Sequence, residues 1–202
     1  MLYLFFTFHD PLGFQTEHLQ KMLPILKENF QGAFVSVTPE TVKQNQAAGA
    51  FLQSNHFFTV NLNKEGSTLG EHFLSGFRNV VAHGQLDQLV HLAASDRLAF
   101  ALLGKYKDIY LEDIKKIGVG DAPFLFMRSE KAWATHPQNY YAAEMMSTVA
   151  GKLLFGKTLD FTWCYMVLTV RQLSELLERI TTKDLVIFAE MVYLLKDKIK
   201  AK

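Results

Sequence analysis

The sequence predicts an α/β domain in three layers, with a mostly parallel sheet of about five to seven strands held between helices. Three observations carry that class. Apolar strand-like runs alternate with segments of helical periodicity from residue 2 onward. The runs are continuously apolar, as strands covered on both faces are. The stretches between them are long enough for the crossover helices that parallel strands require.

Taken in order, "LYLFFTF" (2–8) is the first strand and "DPLG" (10–13) a turn, because Pro11 fixes φ and Gly13 is permissive. From Gln15 to Phe30, Leu19, Met22, Leu23, Leu26 and Phe30 recur at helical spacing, with Pro24 as a kink or a second start. "AFVSVT" (33–38) is a second strand, and residues 39–54 a second helix with Pro39 in its first turn. "HFFTVNL" (56–62) is the third strand. An amphipathic helix over 68–84 turns Leu69, Phe73, Phe77, Val80 and Val81 inward. The fourth strand is "LVHLAASDRLAF" (89–100), in which Ser95, Asp96 and Arg97 interrupt an apolar run. Residues 98–106 and 109–117 are helical, and 118–122 form a loop. "PFLFMRS" (123–129) is the fifth strand, and a long helix covers about 137–155. The segment 157–169 reads as a short strand or as irregular structure. Two C-terminal helices complete the chain.

At 202 residues the chain can bury one sizeable core. Its formal charge is +1, from 21 Lys and Arg against 20 Asp and Glu, so no global field draws nucleic acid. One cysteine, Cys164, excludes an internal disulfide and fits a reducing cytoplasm. "MLYLFFTF" is too short to span a bilayer, lacks a basic flank, and no longer apolar run follows, so the expectation is a cytoplasmic protein without an integral membrane segment.

Several common chemistries are absent from the sequence. Neither G-x-x-x-x-G-K-[ST] nor G-x-G-x-x-G occurs, and "GVG" at 118–120 precedes a strand, the wrong side for cradling phosphate. G-x-S-x-G is missing as well. His18, His56, His72 and His83 are isolated and receive no role. In open α/β sheets ligands bind beyond the carboxyl ends of the strands. Here those ends carry His9 and Asp10, Thr38, Ser95 to Arg97, and Arg128 with Ser129.

"HDP" after the first strand, "SDRLAF" after the fourth, "MRSEKAWATHP" after the fifth and "EMMSTVAGKLLFGKTLDFTWCYMVLT" behind it together resemble a group of uncharacterised bacterial proteins with a glycosyltransferase A-like (nucleotide-diphospho-sugar transferase) fold. The likeness covers most of residues 1–170, which makes 1–170 the α/β domain and 171–202 a C-terminal helical extension packed on it. It implies a nucleotide-sugar-binding or glycosyltransferase-like protein, or an inactive relative that keeps the scaffold as an interaction module. In that group the fourth strand ends in D-x-D-R, where paired acids hold Mg²⁺ or Mn²⁺ against the diphosphate. Here Ala94 stands at the first acid, which leaves Asp96 alone to hold a metal. Asp96 either meets the ligand or caps the helix that follows. Carried over by position, His9 and Asp10 border the nucleotide, and Asp96, Arg97 and Arg128 the diphosphate. His136, Glu144 and Asp160 lie at the reacting end, Asp160 as a base for an acceptor hydroxyl. Thr135 and Pro137 start the long helix without any ligand.

The last helix carries Leu185, Phe188, Ala189, Val192, Leu195 and Ile199 on one stripe, widened by Val186, Ile187, Tyr193 and Leu194. So wide a stripe suggests packing against the sheet and a second body, such as another subunit.

Overall fold

A computed structural model describes residues 1–134, 137–162 and 165–201. Its strands are β1 (Leu2–Phe8), β2 (Phe30–Val37), β3 (Phe58–Leu62), β4 (Leu89–Ala94), β5 (Phe124–Leu125), β6 (Met166–Thr169) and β7 (Lys200–Ala201), in the sheet order β3-β2-β1-β4-β6-β5-β7. The pairs β1–β2, β2–β3 and β1–β4 are parallel. β6 runs antiparallel to both β4 and β5, whereas β5 and β7 pair in parallel. The sheet is therefore mixed at one side and parallel at the other.

The helices are α1 (Phe14–Asn29), α2 (Pro39–Gln44), α3 (Gln46–Gln53), α4 (Leu69–His83), α5 (Ser95–Leu103), α6 (Lys107–Lys115), α7 (Glu130–Trp133), α8 (Gln138–Phe155), α9 (Val170–Leu177) and α10 (Ile187–Leu195). α1 and α5 pack together over one face of the sheet, and α4 with α9 over the other. Strand alternation sends Phe5 toward α4, where its ring meets Phe77 at 4.9 Å. Phe8 instead faces the layer of α1 and α5.

The departures from expectation have local causes. The helix expected over 39–54 is two helices, because Asn45 leaves helical geometry and its side chain takes three bonds. Its Oδ1 accepts Ala48 N–H at 3.1 Å, while Nδ2 donates to the Asp10 carbonyl at 2.9 Å and to Thr16 Oγ1 at 3.1 Å. A new helix is capped and tied to the turn after β1 in one step. Pro24 neither splits nor ends α1. Gly13, at φ 87°, occupies the left-handed region just before α1, as the "DPLG" turn requires. The fifth strand stops at Leu125 rather than reaching 129, because Arg128 turns inward and Ser129 Oγ accepts Ala132 N–H at 3.3 Å to begin α7. α8 starts at Gln138 after Pro137; Thr135 lies outside the described residues.

One continuous hydrophobic core runs from β1 to α10. Most of the wide C-terminal stripe is used within the chain: Ile187, Phe188, Val192 and Leu195 are buried, and Phe188 meets Phe73 of α4 edge-on at 4.7 Å. Leu185, Val186 and Tyr193 remain outside. None of the described helices is long and apolar enough to cross a membrane.

Candidate functional site

The chain winds outward from β1 through β2 to β3, then returns to place β4 on the other side of β1. The junction of β1 and β4 is thus the point where the winding reverses, and there the loops leaving two adjacent parallel strands diverge and open a crevice. A cleft of ≈ 500 Å³ lies at this junction, between α1 and α5. Phe8, Phe14, Leu19, Met22 and Phe100 give it apolar walls, and Gln15, His18, Ser95 and Asp96 contribute its polar groups. Ser95 Oγ donates to Gln15 Oε1 at 2.5 Å, and Gln15 Nε2 donates to the His9 carbonyl at 3.1 Å, so a polar strap joins the ends of the two strands.

Asp96 lies at this rim, as expected, but it is not a helix cap. α5 already begins at Ser95 after Ala94, no side chain caps it, and Asp96 falls in the first turn with its carboxylate 62% exposed. Its nearest charged partner is Arg97, 3.6 Å away. An exposed acid at that position is favoured by the helix dipole. For a divalent cation the donor set is too poor: Ala94 offers only a methyl group, and no group of three or more His, Cys, Asp or Glu among the described residues could hold a metal ion. Among the described residues, those present at Asp96 do not fit the Mg²⁺ or Mn²⁺ expected there.

Asp10 is occupied by the fold. Its Oδ2 accepts Thr16 N–H at 2.7 Å and Thr16 Oγ1–H at 2.6 Å, which satisfies the first turn of α1. Burial alone would raise its pKa; the bonds from Thr16 and from the backbone of Gln15 and Gly13 outweigh that and hold it below the ordinary carboxylate range. His9 is exposed, with Nδ1 bonded to Thr38 Oγ1 at 2.9 Å, and the Thr38 hydroxyl meets that of Thr41 at 3.0 Å.

Arg128, Glu144 and Asp160, distant in sequence, converge. The guanidinium of Arg128 grips Asp160 with two parallel bonds, Nε to Oδ2 and Nη2 to Oδ1, both 2.6 Å. Nη1 donates to Glu144 Oε2, and Nη2 also reaches Thr162 Oγ1 at 2.8 Å. The Trp133 ring covers one face of the guanidinium, with Cζ 3.7 Å from the ring centroid. The Arg128 side chain is 3% exposed, that of Asp160 1% and that of Glu144 26%. Burial opposes the Arg128 charge, but the two carboxylates more than offset it and raise its pKa further. The three residues therefore form an internal ion cluster in which Arg128 faces carboxylates instead of a phosphate, and Glu144 is its most accessible member. The cluster lies at the edge of the sheet where β4 ends, because β6 enters the sheet from the edge that β4 leaves by; Arg128, Glu144 and Asp160 do not line the cleft. Leu92 pairs with Met166, and Tyr165 just before it donates its hydroxyl to the Ala94 carbonyl at 3.3 Å.

His136 lies outside the described residues, as do Trp163 and Cys164. Gln15, Thr162 and the paired aromatic walls Phe14 and Phe100 were not singled out from the sequence. Gln15 and Thr162 each stand a few residues from a strand end or from a selected acid, and that proximity was the available signal. Buried His91 was also unmarked. Its Nδ1 bonds the Met166 carbonyl at 3.2 Å and its Nε2 the Tyr110 hydroxyl at 2.8 Å. A carbonyl only accepts, so Nδ1 carries a proton in either protonation state. Burial depresses its pKa to about 4, with the bond to Met166 opposing.

No family model matches the sequence, and no curated protein matches it. Among solved structures, the chain is similar to glucosyl-3-phosphoglycerate synthase from Mycobacterium tuberculosis, determined with Mn²⁺, uridine diphosphate and phosphoglyceric acid. The TM-score is 0.51 at 11% identity, covering 98% of this chain and 66% of that one, so the chain spans just under two thirds of its length. The fold is thus glycosyltransferase A-like.

Proposed function

We propose that the chain binds a nucleoside diphosphate sugar in the cleft between α1 and α5. The cleft's position carries the reading, because it lies at the reversal of strand order where ligands of open α/β sheets enter. Its chemistry supports it. Phe14 and Phe100 offer apolar surface to a base, Ser95, Gln15 and Asp96 offer partners to ribose hydroxyls, and the amino end of α5 faces the diphosphate, with Arg97, outside the lining and 3.6 Å from Asp96, within the same first turn. The similar solved protein was determined with uridine diphosphate, which favours the same ligand class.

Glycosyl transfer on this scaffold forms a bond from an acceptor oxygen to the anomeric carbon, breaks that carbon's bond to the diphosphate, which leaves with the electron pair, and takes the proton from the acceptor hydroxyl. Glu144 is the carboxylate suited to receive that proton, since it is partly exposed while both oxygens of Asp160 accept from Arg128. Arg128 and Asp160 then act as positioning residues. Arg97 and the α5 terminus stabilise the departing diphosphate, and no step passes through a metal.

The test is thermal shift against UDP-, GDP-, ADP- and CDP-sugars with and without Mn²⁺. At a hundred times Kd, binding stabilises by about 2.7 kcal/mol. One nucleotide class is expected to raise Tm without Mn²⁺, and Arg97→Ala to remove the rise. No shift with any nucleotide at millimolar concentration overturns the reading. A second reading, an interaction module, is favoured by the exposure of Leu12, Phe14, Phe100 and Leu103 around the same cleft.

A further inference from the structure

α8 is turned outward in an unusual sense. Glu144, Thr148, Gly151 and Phe155, spaced i, i+4, i+7 and i+11, form its inward face, and two of these four are polar. The opposite stripe, Met146, Val149, Ala150 and Leu153, is apolar and exposed, with Leu154 beside it. Met146 is 72% exposed, Leu153 82% and Leu154 74%. The helix carries only two charges, Glu144, which is bonded to Arg128, and Lys152. Solvent-facing helices of globular proteins show the reverse pattern, so a contiguous apolar stripe of this kind marks a contact surface.

The chain also supplies that surface with cations. Phe155 stacks on Tyr193 at 5.0 Å, and Lys157 Nζ donates to the Lys196 carbonyl at 2.5 Å, which brings the end of α8 against the end of α10. Lys152 precedes Leu153 in α8, Lys157 and Lys196 meet just beyond Leu154, and Lys198 follows in the same C-terminal segment. Tyr193 is half exposed among them, with Lys196 Nζ 4.4 Å from its ring centroid. The acid of this region, Asp197, is 3.6 Å from Lys196. A chain with a net charge of +1 thus gathers lysines at the end of α8, next to two of its most exposed leucines.

We propose that this patch docks the protein on an anionic lipid surface, with Leu153, Leu154 and Met146 entering the headgroup boundary. The lysines would lay their stems along the apolar surface and raise their ammonium groups to phosphates, and Tyr193 would sit at headgroup level. A second copy is the poorer occupant. A two-fold interface offers the patch only itself, and the carboxylate it carries for these lysines, Asp197, already lies beside Lys196.

The experiment is co-sedimentation of the full chain with vesicles of phosphatidylcholine alone and of phosphatidylcholine mixed with phosphatidylglycerol. Binding is expected only to the anionic vesicles, and its loss at about 1 M salt, where charges are screened beyond about 3 Å. Lys152→Gln with Lys157→Gln should weaken partitioning about 30-fold, from roughly one kcal/mol per lysine near an anionic surface. Leu153→Glu with Leu154→Glu should abolish it while leaving Tm unchanged, since both side chains already face water. Equal binding to both vesicle types, no binding to either, or anionic binding indifferent to the leucine changes overturns the proposal. So does a wild-type dimer that Leu153→Glu converts to monomer.

Discussion

Arg128 is the residue on which the site depends most directly. Replacing it by alanine leaves Asp160, 1% exposed, without a counter-ion, and breaking such a buried pair costs about 3–5 kcal/mol. Urea denaturation of Arg128→Ala should show that loss as a lower midpoint at unchanged slope. Glu144→Gln keeps a hydrogen-bond acceptor at the rim and should cost only about 1 kcal/mol, while removing the group proposed to receive the acceptor's proton. His91 sets a pH dependence. Its folded pKa is about 4 against 6.5 unfolded, so between those values the unfolded chain binds the proton and the folded chain does not. Stability from this group is complete above pH 6.5 and falls by about 3 kcal/mol as pH drops to 4. In His91→Gln that part of the acid slope should disappear from stability measured against pH. Sequence spacing selected Arg128, Glu144 and Asp160 separately, but nothing in their spacing shows that the arginine would serve the acids. That follows from the inward turn after β5, where Phe126 N–H still bonds the Tyr165 carbonyl at 3.0 Å and then the chain leaves the sheet.

At the scale of elements, close approach decides where α8 can lie. A Cβ on Gly151 would stand 1.9 Å from the Phe161 ring, so α8 rests on the segment carrying Asp160 only because that residue has no side chain. Gly151→Ala should cost about 1–3 kcal/mol by overpacking and shift α8 away from Arg128, with a lower Tm as the readout. Thr68 works at the opposite face. It caps α4 in a reciprocal pair with Glu71, whose Oε2 accepts Thr68 N–H at 2.8 Å, and its hydroxyl also donates to the Lys183 carbonyl. Thr68→Ala should cost about 1 kcal/mol or somewhat more by calorimetry, since a helix cap and a tie to the chain before α10 are lost together. The long elements β1, α1, β2 and α4 were legible because their apolar periods are long and match one secondary structure each, whereas the strand expected over 89–100 ends at Ala94 and its second half, from Ser95, is the start of α5. β5 and β7, two residues apiece, have no period to detect, and the direction of β6 is set by its neighbours.

At the scale of the whole molecule, residues 171–202 supply Leu173, Leu176, Ile187, Phe188, Met191 and Val192 to the core shared with β1, and Lys200–Ala201 to the sheet. We expect a chain ending at residue 170 to lose its cooperative thermal transition by circular dichroism. Survival of that transition would instead support an independent domain over 1–170. The parallel half of the sheet was readable from strand–helix alternation, but the reversal at β6 was not, because alternation alone carries no information about which gap a later strand will fill. That gap has a consequence for how the protein is made. Strands β1 to β4 are neighbours whose pairings are available as soon as β4 has emerged from the ribosome, and a four-stranded parallel sheet can assemble on them. β5 emerges next but finds no place beside β4, because that place belongs to β6. The strand must wait, unpaired, until later-synthesised residues slot in between, so the last part of the sheet closes out of translational order.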